Sequence, residues 1–178
     1  MRKYLKRYVY DQLVDWKQRP DHSTLEVSGA RHVGKTYIVN KLSDEQYRNK
    51  IYINLLDFSG ELFLEKYEDL RNEIRNGLVC DNPVYELIRR VHPDFEDTSD
   101  TIVIIDEIQE SAAIYNRIRE FTRQLKSDFI ITGSYLGRIL NREFKYSAGD
   151  LDSLEIHTLD FREFLMALDK EESSRQVR

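Results

Sequence analysis

Apolar residues occur along the chain in two patterns, which predict alternating strands and helices. Short apolar runs rich in Ile and Val are typical of strands in a covered sheet. They predict strands at Thr24–Ser28, Lys50–Leu56, Thr101–Asp106, Asp128–Thr132 and Leu154–Leu159. Apolar residues that recur about every three to four positions predict helices instead. These segments are Tyr4–Lys17, Lys35–Leu42, most of Glu61–Arg90, Ala112–Leu125 and Phe161–Leu168.

The order of these elements predicts an α/β fold with three layers. Strands that alternate with helices at this spacing favour a mainly parallel sheet with helices on both faces. Sheets of this kind bind ligands at the carboxyl ends of their strands. We expect residues 1–18 to form an amphipathic helix packed on the core, residues 19–168 to form the main domain, and residues 169–178 to be a disordered tail.

The composition is that of one soluble domain, with 178 residues of which 40% are hydrophobic. The single cysteine, Cys80, excludes an internal disulfide, and no apolar run approaches the roughly 20 residues that a membrane span requires. We therefore expect a cytoplasmic protein without a membrane partner. The net charge of −5 argues weakly against a dedicated nucleic-acid binder. The basic residues near the start favour a solvated helix face over a nucleic-acid or membrane patch.

One glycine-rich segment carries the strongest chemical signal. Residues 29–36 read GARHVGKT, which fits G-x-x-x-x-G-K-[ST] between a predicted strand and a predicted helix. Glycines allow a tight turn whose backbone N–H groups surround phosphate oxygens, and the helix N-terminus adds positive potential. We expect Lys35 to reach the β- and γ-phosphates and the Thr36 hydroxyl to bind Mg²⁺, whereas the competing interpretation is an accidental glycine-rich turn. The predicted nucleotide-binding residues are Gly29, Ala30, Arg31, His32, Val33, Gly34, Lys35, Thr36 and Tyr37.

An acidic pair ends the strand Thr101–Asp106. Asp106 is predicted to hold the magnesium ion and its water, and Glu107 to orient a water for attack on the γ-phosphate. The competing interpretation is that these acids only begin a helix, where Asp and Glu are favoured. The apolar segment Ile51–Leu56 lies in sequence between the two motifs, and we interpret it as the extra strand of the additional-strand type of P-loop fold.

Three further polar residues are candidates for the same site. Thr132 and Ser134 end the next predicted strand, where a hydroxyl could sense the γ-phosphate or position the water. The alternative is ordinary turn chemistry, which also favours Thr and Ser. Gln109 could hydrogen-bond Glu107 or relay the nucleotide state, or it could simply start a helix.

Together the segments SGARHVGKT, IVIIDEIQE, IITGS and LDFREFL resemble the predicted AAA+ ATPases of bacteria and archaea, which commonly carry a further C-terminal domain. The resemblance covers nearly the whole chain. It implies ATP and Mg²⁺ as ligands, Lys35 and Thr36 as phosphate and metal contacts, Asp106 as the metal partner and Glu107 as the catalytic acid. ATP, ADP, another copy of the chain and a C-terminal effector domain are the expected partners.

The chain departs from that family pattern at two positions. The family often has a Gly-Arg pair before its last segment and a proline at the start of it. Here Gly149 is followed by Asp150, and Leu159 replaces the proline. An arginine finger at position 150 is therefore excluded. The remaining arginine candidates are Arg138, Arg142 and Arg162.

The leading hypothesis is an ATPase whose hydrolysis drives a conformational switch. Its alternative is a nucleotide-gated binding module with little or no hydrolysis, which the missing Gly-Arg arginine favours. A small-molecule phosphotransferase would need an acceptor site, for which the stretch Arg138–Arg142 is thin support. Action on DNA follows only by analogy with the resembled family.

Overall fold

The computed structural model describes residues 7–118, 123–134 and 151–168. These residues form helices on both faces of one sheet. In chain order the elements are α1 (Val9–Gln18), β1 (Leu25–Ser28), α2 (Lys35–Gln46), β2 (Asn49–Asn54), α3 (Phe58–Arg75), α4 (Pro83–Val91), β3 (Thr101–Asp106), a 3₁₀ turn (Ile108–Glu110), α5 (Ala112–Tyr115), β4 (Asp128–Thr132), β5 (Asp152–Glu155) and α6 (Phe161–Ala167).

Within the described residues the sheet has five parallel strands, in the order β2-β3-β4-β1-β5. Every residue of β3 is buried, as the uninterrupted apolar run of that strand predicts. Because all strands run in the same direction, the loops after β1, β3 and β4 meet at the same edge of the sheet. This confirms the predicted α/β fold with a parallel sheet.

Two apolar cores lie on opposite faces of the sheet. Val103 and Ile105 of β3 belong to the core that α3 and α4 cover, and this core contains the fully buried Phe63. Ile102 and Ile104 belong to the other core, which α1 and α2 cover. The alternation of β3 side chains between the two cores explains why the strand is apolar throughout, since neither face is open to water.

The strand that separates β1 from β3 is β4. The segment Ile51–Leu56, which we interpret as the extra strand, lies between the two motifs in sequence but not in the sheet. It forms most of β2, which lies at the edge of the sheet formed by the described residues and pairs with β3. The order of strands along a chain does not determine their order in a sheet, because a helical crossover can carry the chain past a neighbouring strand.

The predicted N-terminal helix begins later than expected. Tyr4 was the expected start, but α1 begins at Val9, and residues 1–6 lie outside the described part of the chain. Its buried residues Leu13 and Trp16 are two of those that the helical spacing placed on one face. Both residues belong to the core that α1 and α2 cover, and the division of the chain at residue 18 stays a prediction.

The helix predicted from Ala112 to Leu125 is interrupted. Helix α5 ends at Tyr115, a turn follows, and residues 119–122 are not described. Ile114, Ile118 and Leu125 are nevertheless buried in one core. The spacing predicted which residues are buried, but it could not reveal the turn between them.

The last strand also lies earlier than predicted. The sequence pattern favoured Leu154–Leu159, whereas β5 spans Asp152–Glu155. Pairing sets this boundary, since β5 matches β1 residue for residue from Leu25 to Ser28 and stops where β1 stops.

The predicted disordered tail, residues 169–178, lies outside the described residues. Within the described parts of the chain, no helix combines the length and the hydrophobicity that crossing a membrane requires.

A close contact holds α3 against the end of β2. Asp57 caps the helix by accepting hydrogen bonds from the backbone N–H groups of Ser59 and Gly60. A Cβ atom at Gly60 would lie 2.3 Å from the carbonyl oxygen of Asn54 and 2.4 Å from the Cα atom of Leu55. Only glycine fits here, because both neighbours are backbone atoms that cannot rotate away.

We therefore expect Gly60→Ala to destabilise the protein, although an alanine inside a helix ordinarily gains about 1 kcal/mol over glycine. The added methyl group overpacks the contact with β2, which should lower the free energy of unfolding by about 1–3 kcal/mol. Chemical denaturation of the two proteins measures the difference. A higher free energy of unfolding for Gly60→Ala than for the wild type would contradict the close contact between Gly60 and the end of β2.

Candidate functional site

The loop after β1 is shaped by two glycines. Gly29 has φ 143°, and a Cβ atom there would lie 2.2 Å from the carbonyl oxygen of Ile156, so the conformation and the close approach both require glycine. Gly34 has φ 93° and is the N-cap of α2. It provides no side-chain oxygen to the first turn of the helix, whose N–H groups are a binding site for an anion.

Lys35 lies at the mouth of this loop. Its Nζ atom donates to the carbonyl oxygens of Gly29 at 3.0 Å and Ala30 at 2.8 Å. Burial lowers the pKa of Lys35, and the carboxylates of Glu107 and Asp106 oppose that shift. The ammonium group is thus held over the loop and close to two acids.

Asp106 is the centre of the hydrogen-bond network at this edge. Its Oδ2 atom accepts from the Thr36 hydroxyl at 2.8 Å and from the Tyr52 hydroxyl at 2.6 Å. Its Oδ1 atom accepts from the backbone N–H of Glu107 at 2.9 Å and from the Thr132 hydroxyl. Four donors match the roughly four lone-pair sites of a carboxylate. The contact with Thr36 joins the glycine-rich loop directly to the end of β3.

Glu107 follows in a left-handed conformation, with φ 57°. A non-glycine residue in this region is uncommon and marks a functional or strained position. The Nε2 atom of Gln109 donates to Oε2 of Glu107, and its Oε1 atom accepts from the backbone N–H of Ser134 at 3.0 Å. Gln109 therefore bridges the ends of β3 and β4, and its hydrogen bond to Glu107 is one of the roles considered for it.

The structure brings most of the predicted site residues together, with two differences in detail. The Thr132 side chain is fully buried and its hydroxyl donates to Asp106, so in this arrangement it is engaged by that carboxylate. Ser134 enters the network through its backbone N–H. Within the loop, Ala30, Arg31 and His32 are exposed and Val33 is buried.

The remaining candidates are Tyr37 and the three arginines. Tyr37 is 47% exposed on the first turn of α2. Of the arginine candidates, Arg162 is exposed on α6, while Arg138 and Arg142 lie outside the described residues. The role of an arginine finger therefore stays a prediction.

Three residues in contact with the site were missed from the sequence. Tyr52 of β2 contacts Asp106, and burial together with this hydrogen bond raises its pKa. Its signal was the alternation of β2, in which Ile51 and Ile53 are buried and Tyr52 lies on the other face. Arg7 and Glu163 form an ion pair beside the loop, and nothing in their local sequence indicates a partner at such a distance along the chain.

The donor atoms at this edge fit a magnesium ion. Mg²⁺ prefers oxygen ligands and is usually bound by one or two carboxylates together with substrate phosphates. The Thr36 hydroxyl and the Asp106 carboxylate provide two such oxygens, 2.8 Å apart, beside the loop. Among the described residues there is no group of three or more His, Cys, Asp or Glu that could hold a metal without a further ligand.

Comparisons with known proteins identify the family of this arrangement. The model of a protein family described as "AAA domain" matches residues 21–165 of the chain. No curated protein matches the chain. Among solved structures, Drosophila ORC bound to DNA is 14% identical, with a TM-score of 0.50, and the match covers 95% of this chain and 50% of that one.

Two archaeal structures are similar over the same part of the chain. Aeropyrum pernix ORC1 in complex with DNA is 14% identical, with a TM-score of 0.49 over 93% of this chain and 47% of that one. Aeropyrum pernix ORC2, in ADPNP-ADP complexes, is 14% identical, with a TM-score of 0.44 over 93% of this chain and 49% of that one. The chain spans about half the length of each of these structures.

The network around Asp106 predicts the effect of removing one donor. Tyr52→Phe deletes only the hydroxyl that donates to Oδ2, and hydrogen bonds to charged groups contribute about 1.5–3 kcal/mol. We expect the free energy of unfolding to fall by about that amount in chemical denaturation. Tyr85→Phe is the matched control, because the described residues offer its hydroxyl no hydrogen-bond partner. Equal stability losses in the two variants would contradict the role of Tyr52.

Proposed function

Because the chain belongs to the AAA domain family, we propose that it binds ATP at residues 29–36 and hydrolyses it to drive a conformational switch. The observation that carries the proposal is the hydrogen bond of 2.8 Å between the Thr36 hydroxyl and Asp106. This contact joins the glycine-rich loop to the acidic end of β3, which supports one site for phosphate and metal. The Lys35 ammonium lies beside them.

Binding would use groups that already face the loop. The N–H groups at the start of α2 are not capped by the side chain of Gly34, so they can donate to phosphate oxygens. Lys35 would exchange the carbonyl oxygens of Gly29 and Ala30 for phosphate oxygens, since an ammonium group is attracted more strongly to a charged phosphate than to a neutral carbonyl. Magnesium held by Thr36 and Asp106 would neutralise part of the phosphate charge.

Hydrolysis would use the carboxylate of Glu107. This group would accept a proton from water as the water attacks the γ-phosphorus, the bond to ADP breaks, and phosphate is released. In the observed arrangement Gln109 donates to that carboxylate. Gln109 occupies one of the roughly four lone-pair sites of that carboxylate, so water would bind at another site or replace Gln109.

The same exchange provides a route for the switch. Gln109 also accepts from the backbone N–H of Ser134, which follows β4. If Gln109 released Glu107, its side chain would no longer link Glu107 after β3 to Ser134 after β4. We propose that this change is passed on to another copy of the chain or to a C-terminal effector domain.

One observation favours the alternative of a nucleotide-gated module. One oxygen of the Glu107 carboxylate accepts from Gln109, which leaves fewer acceptor sites to orient water. A protein that stays in this arrangement would bind ATP and signal through the bound state with little hydrolysis. Phosphate release from the wild-type protein separates the two functions.

The binding proposal predicts the effect of ATP on stability. Mg·ATP at about 100 times its dissociation constant should stabilise the wild-type protein by about 2.7 kcal/mol, and Lys35→Ala should lose most of this gain. Thermal unfolding with and without Mg·ATP measures the effect. Lys41→Ala is the matched control, since Lys41 lies on the same helix and pairs with the exposed Glu45. Equal stabilisation of all three proteins would rule out a phosphate contact through Lys35.

The hydrolysis proposal predicts that Glu107→Gln keeps ATP binding and loses turnover by about 100-fold or more, because the amide cannot accept the proton. Phosphate release under saturating Mg·ATP provides the measurement. Glu110→Gln is the control, as it removes a neighbouring carboxylate that Gln109 approaches only at 3.4 Å. Unchanged turnover in Glu107→Gln would exclude Glu107 as the base. Tight ATP binding without phosphate release by the wild-type protein would favour the gated module.

A further inference from the structure

The guanidinium of Arg7 joins three segments that are far apart in sequence. Its Nη1 atom donates to the carbonyl oxygen of Val33 at 3.1 Å, its Nη2 atom to that of His157 at 2.7 Å, and its Nε atom to Oε2 of Glu163 at 3.1 Å. The Arg7 and Glu163 side chains are only 11% and 6% exposed. A buried ion pair with this many hydrogen bonds has a defined geometry, and one of its three acceptors belongs to the glycine-rich loop.

The contact with Val33 determines which way one amide of the loop faces. In a trans peptide the C=O and the N–H lie in one plane and point in opposite directions. Because the carbonyl of Val33 accepts from Arg7, the N–H of Gly34 points away from Arg7. That N–H belongs to the helix N-cap, where an anion would be bound.

The loop needs such a restraint because its backbone conformation is unfavourable. His32 has φ 65° and Gly34 has φ 93°, so the residue before Val33 and the residue after it both lie in the left-handed region. Glycine adopts many conformations, and the peptide between Val33 and Gly34 would otherwise be free to rotate. A fixed donor geometry before binding lowers the entropy that the ligand must remove.

Glu163 holds Arg7 in place and is itself fixed by its helix. Its Oε1 atom accepts from the backbone N–H of Tyr8 at 2.8 Å, and its Oε2 atom from that of Asp160 at 3.1 Å. The Asp160 side chain in turn accepts from the backbone N–H of Glu163 at 2.7 Å, which completes a capping box at the start of α6. The ion pair thus connects the loop to the segments that lead into α1 and α6.

We propose that Arg7 is a positioning residue of the phosphate-binding loop, which directs the Gly34 amide into the site and is oriented by Glu163. The proposal rests on the proposed ATP binding. Arg7 acts through the backbone of the loop and needs no contact with the nucleotide. Through Glu163, displacement of the segment before α1 or of α6 would weaken ATP binding.

The test compares variants of Arg7 in the full chain. Arg7→Met keeps the length of the side chain and removes its donors, and we expect the dissociation constant of a fluorescent ATP analogue with Mg²⁺ to rise about tenfold. The double variant Arg7→Met with Glu163→Gln removes the unpaired buried charge and should show the same loss of affinity with better stability. Arg7→Lys keeps the charge but offers one ammonium to three acceptors. Its affinity for the ATP analogue should therefore lie between those of the wild type and Arg7→Met.

Arg19 provides the matched control. Its Nη2 atom lies 2.7 Å from Oδ2 of Asp152, so this ion pair also joins the end of α1 to β5, but at the opposite end of the strand from the loop. Arg19→Met should leave the dissociation constant unchanged. In nuclear magnetic resonance spectra without nucleotide, the amide signal of Gly34 should shift in Arg7→Met and stay in place in Arg19→Met.

The outcomes separate this proposal from the proposed function. A folded double variant that binds the ATP analogue as tightly as the wild type, with an unmoved Gly34 signal, would overturn the role of Arg7. If the double variant fails to fold, Arg7→Lys provides the test. Wild-type affinity for the ATP analogue and an unmoved Gly34 signal in Arg7→Lys would then overturn the role of Arg7. Absence of ATP binding by the wild type would refute the proposed function, and the Gly34 signal would still report whether Arg7 orients the loop.

Discussion

The geometry of the carboxyl edge of the sheet depends on one buried carboxylate. Asp106 is only 4% exposed, and its donors come from α2, β2, β4 and the residue that follows it. Burying such a group without partners is costly, so the surrounding elements must approach closely enough to supply them. The three side-chain donors are hydroxyl groups of Thr36, Tyr52 and Thr132. The position of Asp106 thereby sets the distance between the glycine-rich loop and the end of β3.

The glycine-rich loop is held by contacts on both of its sides. On one side Thr36 is bonded to Asp106, and on the other Arg7 is bonded to the carbonyl of Val33. In this loop His32 and Gly34 have positive φ, which is uncommon for a residue other than glycine. The folded structure therefore stabilises a shape that the local sequence only permits.

Much of the fold could be predicted because strong local patterns agree with the tertiary structure. The bounds of β3 and β4 match the predicted strands, since a run of buried Ile and Val residues ends abruptly at polar ones. The buried face of α2 is also as the spacing predicts, with Ile38, Val39 and Leu42 buried. Errors occurred where pairing or a turn decides a boundary, as in β5 and after α5. In these places the controlling atoms belong to distant residues.

The sequence by itself determined the α/β class, the glycine-rich loop and the acidic end of β3, because each depends on residues that are adjacent in the chain. The tertiary structure alone decided that β4 lies between β1 and β3, and that Thr132 faces Asp106. It also decided that Arg7 and Glu163 meet beside the loop. Local patterns carry backbone preference and burial, whereas contacts between residues far apart in the chain form only when packing brings their elements together.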